Sequence, residues 1–261
     1  RKLHEKRGRA DSAKRWDKAA PRFGRESDKS SYVHRFVDLV EPLPGETVID
    51  VGAGTGAVTL PLASAGHSVT AIDFSLGMLE VLQERASEAG GTGIRTVQAA
   101  WKDDWSARGV EPADIVVASR SIIVADLEQA LLRIDEFAKR RACITIPYDG
   151  SPRHDARIFD ALGREQPRRY DLLYALGILL SRGHRPEVRL IRGEKRDSYQ
   201  SPEEARESII EALKGLRPGE EEKLDRWLEE NVVERQNEAG ETYWTRTVQR
   251  TTEWAFVSWG S

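Results

Sequence analysis

The 261-residue chain is short of several things, and each shortage removes a class of protein. It has one cysteine, Cys143, set in an apolar stretch, so no disulfide can form within the chain, which suits a reducing cytoplasm. Its five histidines (His4, His34, His67, His154 and His184) are scattered without paired Cys/His spacing, so no metal site is expected. The Gly-x-Ser-x-Gly elbow of the serine hydrolases is missing. The longest apolar run, Leu172 to Leu180, is too short to cross a bilayer, so no membrane partner is expected. A net charge of −3 lacks the global basic excess of a nucleic-acid binder. Only residues 1–25 are strongly basic, with ten Lys or Arg against three acids. Such a segment is either solvated surface or an arm for RNA or an acidic partner.

What is present centres on residues 48–56, Val-Ile-Asp-Val-Gly-Ala-Gly-Thr-Gly. Val48, Ile49 and Val51 predict a buried parallel strand, and Gly52, Gly54 and Gly56 a tight turn on which a ligand touches bare backbone. A helix is expected over 56–64, adding free N–H groups and a positive dipole end. The Gly-x-Gly-x-Gly spacing differs from the Gly-x-Gly-x-x-Gly of dinucleotide enzymes. Asp50 lies inside the strand, where its carboxylate repels a pyrophosphate and tolerates a cationic ligand. The methionyl part of S-adenosylmethionine is such a ligand, carrying an ammonium and a sulfonium.

At these residues the chain resembles the class I S-adenosylmethionine-dependent methyltransferases. The resemblance covers about residues 40–150, and the C-terminal part in outline. It implies S-adenosyl-L-methionine as cofactor and S-adenosyl-L-homocysteine as product. It also implies a doubly wound, mostly parallel, seven-stranded α/β sheet of Rossmann-like type. Strands are expected near 47–51, 68–72, 94–98, 113–118, 142–146 and 187–192, and helices near 75–89 and 126–140. Two helical stretches are expected at 202–214 and 218–236, then a strand or hairpin from Thr242 to Trp259. Residues 1–40 are expected to form a basic arm and cap helices, and 41–261 the methyltransferase domain. A helical insertion at about 151–184 is read as a lid, or as a helix pair packed on the core.

The resemblance implies a cofactor site of Asp50, Gly52, Ala53, Gly54, Gly56, Asp73, Phe74, Met78, Ala100, Trp101 and Ser119. Asp73 ends the second strand and suits two ribose hydroxyls. Met78 reads equally well as a core gap-filler. Ala100 stands where relatives often carry an Asp for the adenine amine, leaving Trp101 to stack or Asp103 to supply the carboxylate. Trp105 reads as packing. Strand four ends Ala118-Ser119-Arg120-Ser121, without the Asn/Asp-Pro-Pro-Tyr/Phe of base-amine methyltransferases. Arg120, Tyr148 and His154 are the candidates for positioning an acceptor. The expected reaction is cytoplasmic methyl transfer to a small molecule. The alternatives are RNA or protein methylation through the basic arm, a nicotinamide oxidoreductase, and a non-catalytic S-adenosylmethionine-binding module.

Overall fold

Strand β1, Thr47–Val51, is buried along all but its first residue, as an apolar run with no room for alternation requires of a central strand. It pairs in parallel with β2 (Ser68–Asp73) and with β4 (Ala113–Ala118). β3 (Ile94–Gln98) extends the sheet beyond β2, and β5 (Ala138–Pro147) beyond β4, both in parallel. With β6 (Glu187–Lys195) and β9 (Arg250–Gly260) the seven-stranded order is β3-β2-β1-β4-β5-β9-β6. β9 runs antiparallel to β5. Tyr148 N–H, just past the end of β5, donates to Glu253 O near the start of β9, while Gly260 at the end of β9 lies against Arg140 O near the start of β5. The structure is a computed structural model that describes residues 13–23, 30–122, 124–148, 155–195, 197–237 and 240–260.

The chain divides into two units. The first comprises Arg1–Ile146, Tyr170–Ile191 and Ala255–Ser261 and holds the body of the sheet. Its helices start where short polar side chains can cap them. Ser30 caps α2 (Ser31–Val40), Ser75 caps α4 (Leu76–Glu88) and Asp126 caps α5 (Leu127–Phe137). Buried Leu127, Ala130, Leu131, Ile134 and Phe137 give α5 one apolar face, on which Trp105 packs edge-on to Phe137 at 5.2 Å. Burying a Trp of that size contributes about 4–6 kcal/mol at most. The helix expected to reach residue 140 stops at Phe137, because residues 138–141 already pair with β4.

The second unit, Pro147–Arg169 with Arg192–Trp254, has its own core. Ile158 and Leu162 of α6 (Ala156–Leu162), Ile209 of α8 (Pro202–Leu213), and Leu224 and Trp227 of α9 (Glu221–Asn231) form it. The stretch expected as helix to residue 236 leaves α9 at Asn231. Val232–Gln236 becomes β7, an antiparallel partner of β8 (Thr242–Arg246), as the paired β-branched Val232 and Val233 favour. The insertion read at 151–184 also divides. α6 lies in the second unit, whereas α7 (Asp171–Ser181) lies in the first, packing Ala175 and Leu179 into the main core beside α5.

Arg164 and Glu220 form a buried pair in the second unit, with Arg164 Nε–H donating to Glu220 Oε1 at 2.7 Å and Nη2 to Gly215 O at 2.9 Å. Removing one partner strands the other charge away from water. Glu220→Ala is therefore expected to destabilise this unit by about 3 kcal/mol, read as an earlier urea midpoint for Trp227 fluorescence. An unchanged midpoint removes the pair from the account of stability.

Candidate functional site

The strand order reverses between β1 and β4, so their carboxyl ends flank a switch point, where open α/β sheets bind ligands. The three glycines at this point have left-handed backbones for different reasons. At Gly52 (φ 72°) a Cβ would lie 2.3 Å from Ser121 Cβ, so the β1 and β4 loops close only around a bare α-carbon. At Gly56 (φ 90°) it would crowd Leu82 and Leu60. At Gly54 (φ 55°) the nearest described atom would be Phe23 Cε1 at 3.9 Å, an ordinary contact, so this position is the least crowded of the three among the described residues. The N–H groups of Gly52 and Ala53 donate to Ile72 O, and buried Ala53 packs with Leu82, which fixes the loop on β2. The helix expected from residue 56 begins only at Thr59 (α3, Thr59–Ser64), and residues 54–58 are turns. A turn, rather than a helix end at residue 56, therefore lies at this point.

Asp73 receives N–H bonds from Gly54 to Oδ2 and from Ser75 to Oδ1, both 2.9 Å. Phe74 N–H also bonds to this carboxylate, so of about four lone-pair sites at least one stays open to a ligand hydroxyl. Burial pushes the Asp73 carboxyl above its ordinary range despite these donors, and the charge of Asp17 adds to the shift. Asp17, on α1 (Ala13–Ala19), accepts from Ser75 Oγ at 2.6 Å and from Gly77 N–H at 3.1 Å. Asp50 is fully enclosed, and Thr59 Oγ1 donates to its Oδ2 at 2.7 Å. Burial pushes the Asp50 carboxyl up to about 7, and no cation pairs with it among the described residues. A buried carboxyl with no cation partner among the described residues, a carboxylate ending β2 and a loosely covered glycine between them together suit a cationic nucleoside.

The other expected positions separate. Phe74 is half-buried and its carbonyl accepts from Gln98 Nε2. Met78 is only 2% exposed and is buried beside Leu79 and Leu82 on α4. Ala100 N–H donates to Asp103 Oδ2 at 3.1 Å, and Asp103 pairs with Arg108 at 3.0 Å, so Asp103 closes a turn instead of facing the crevice unengaged. Trp101 ties this loop to the tip of β4 through Nε1–H to Ser121 O at 3.3 Å. Trp105 is entirely buried.

At the tips of β4 and β5 the structure joins Ser119 and Arg120, which the sequence marked, to Tyr32 and Thr145, which it did not mark as site residues. Buried Tyr32 on α2 hydrogen-bonds through its hydroxyl to Thr145 Oγ1 at 2.8 Å and to half-buried Ser119 Oγ at 3.0 Å. Burial raises its phenol above the usual range, outweighing Arg120, so the hydroxyl stays protonated. Arg120 has a left-handed backbone (φ 59°), its N–H donates to Thr145 Oγ1 at 2.9 Å, and its guanidinium carbon lies 4.3 Å from the Tyr32 ring centroid. Thr145, a lone hydroxyl in an apolar strand, was the available signal. Tyr148 is 46% exposed and belongs to the second unit. His154 lies outside the described residues. Among the described residues no group of three His, Cys, Asp or Glu could hold a metal, and no helix is long and apolar enough to cross a membrane.

Residues 48–140 match the methyltransferase domain family. An uncharacterized protein of Haemophilus influenzae is 32% identical over 184 residues, covering 69% of this chain and 67% of that protein. The demethylmenaquinone methyltransferase of Renibacterium salmoninarum is 42% identical over 76 residues, 27% of this chain and 32% of that enzyme. The chain thus spans about a third of that enzyme. Shorter matches carry names of both kinds, an aklanonic acid methyltransferase and ribosomal RNA small subunit methyltransferases. Among solved structures, the YcgJ protein of Bacillus subtilis shares the fold at a TM-score of 0.57 and 15% identity, covering 88% of this chain and 97% of that one. The chain belongs to the class I S-adenosylmethionine-dependent methyltransferases. Its cofactor is S-adenosyl-L-methionine.

Asp73→Ala is expected to weaken S-adenosylhomocysteine binding by about 1–3 kcal/mol, the scale of lost charge-assisted bonds. Because Asp73 also satisfies two backbone N–H groups, some stability should go with it. Calorimetry beside a thermal melt separates the two, and unchanged affinity in a folded variant refutes the ribose role.

Proposed function

We propose that the chain transfers a methyl group from S-adenosylmethionine to a small-molecule acceptor. The cofactor supplies a methyl already activated on a sulfonium, so the protein's work is positioning. In this reading the backbone of Gly52 and Gly54 lies against the methionyl and ribose groups, Asp73 holds the ribose hydroxyls and Asp50 faces the cationic end. Phe74, Ala100 and Trp101 border the adenine, and Ser119 the methionine. Tyr148 and His154 stay candidates for holding the acceptor. The observation supporting a small acceptor is Tyr32, which α2 sets across the β4 and β5 tips with its hydroxyl bonded to both strands. A wall there favours a compact molecule over a polymer. The test is incubation with methyl-labelled cofactor and a cell extract split into metabolites, RNA and protein. Label in the metabolite fraction is expected. Label confined to RNA, sensitive to salt, points instead to the basic segment 1–25 and a polyanionic substrate.

A further inference from the structure

The geometry points to Arg120 as the group that recognises a carboxylate on the acceptor, an assignment that rests on the small-molecule reading above. Four observations converge on this side chain. It lies at the carboxyl end of β4, on the switch point where the proposed cofactor loop turns. Its backbone is left-handed, which strains a residue with a Cβ, and strain of that kind collects at ligand-binding positions. The strain is held in place, because Thr145 Oγ1 fixes the N–H and the Tyr32 ring underlies the guanidinium. Finally, the side chain is exposed and has no carboxylate partner among the described residues. Arg108, Arg140, Arg157, Arg164, Arg192 and Arg206, by contrast, each pair with an acid.

A guanidinium braced on an aromatic ring keeps its N–H donors for a planar, two-oxygen partner. One positive charge matches a carboxylate better than a phosphate dianion. The dianion would need further cations, whereas Asp50 on β1 and Asp73 at the end of β2, at the same edge of the sheet, are acidic, and the cations of β5, Lys139 to Arg141, lie at its far end. Tyr32 couples this group to the rest of the site, since its hydroxyl touches Ser119 and its ring touches Arg120.

The test uses the full chain and its Arg120→Ala and Arg120→Lys variants, methyl-labelled cofactor, and the metabolite fraction before and after chemical esterification of its carboxyl groups. Esterification is expected to remove labelling by the unaltered protein. Arg120→Ala should lower labelling about tenfold to a hundredfold, and Arg120→Lys less, because it keeps the charge and loses the fork. Binding of S-adenosylhomocysteine should change less than about twofold in either variant, since the charge serves the acceptor. Metabolite labelling that survives esterification, or that Arg120→Ala leaves intact, overturns the assignment while sparing the small-molecule reading. Arg120→Ala that weakens S-adenosylhomocysteine but not 5′-methylthioadenosine, which lacks the amino-acid carboxylate, assigns Arg120 to the cofactor and overturns it too. Label found only in RNA or protein overturns both.

Discussion

Gly54→Val should leave a folded protein that no longer binds S-adenosylhomocysteine, with affinity reduced more than about a hundredfold. The structure separates this glycine from its neighbours. A Cβ at Gly54 makes only an ordinary contact among the described residues, with Phe23 Cε1 at 3.9 Å, so the main cost there is the left-handed backbone, about 2 kcal/mol for a β-branched residue. The ligand is expected to lie against this α-carbon, and a valine there obstructs it. Gly52→Val behaves differently. Its Cβ falls 2.3 Å from Ser121 Cβ, so the β4 loop must move and stability should fall along with binding. Calorimetry with S-adenosylhomocysteine and a thermal melt on both variants make the comparison. A folded Gly54→Val protein with wild-type affinity means that the cofactor does not approach this loop.

These contrasts show which parts of the molecule were legible in the sequence. The strands were, because β1 and β4 are buried on both faces and their apolar runs admit little else. The glycine motif and the two acids were, because a left-handed loop and a carboxylate in or ending a strand leave a local signature. Helix ends were less so. α5 stops at Phe137 and α9 at Asn231 because the next residues pair in strands, a tertiary choice that helical spacing does not record. The split of the 151–184 stretch between two units was illegible for the same reason: α6 and α7 are both apolar helices, and only their partners differ. The Tyr32–Ser119–Thr145 group joins residues 113 positions apart, so no spacing rule reaches it.

Asp50→Asn is expected to stabilise the free protein at pH 8 and weaken cofactor binding there, opposite signs from one carboxylate. Burial raises the folded carboxyl to about 7 from an ordinary value of 3.8, with the Thr59 hydroxyl opposing and Asp73 adding. Below the unfolded value both states are protonated and the group is neutral for stability. As pH rises from there to about 7, the unfolded chain releases the proton first, so stability falls, by up to about 4 kcal/mol, and is flat above. Asparagine keeps an acceptor for Thr59, carries no charge, and should abolish that loss. Binding runs the other way. A cationic ligand favours the ionised form, so below about pH 7 binding must expel a proton. Affinity for S-adenosylmethionine should therefore rise about tenfold from pH 6 to pH 8 in the unaltered protein. In Asp50→Asn the slope should vanish and affinity stay at or below the low-pH level. Calorimetry in two buffers of different ionisation enthalpy measures the released proton directly. A pH-independent affinity with no proton release would place the cation away from Asp50 and leave this carboxylate a structural acid of the β1 strand alone.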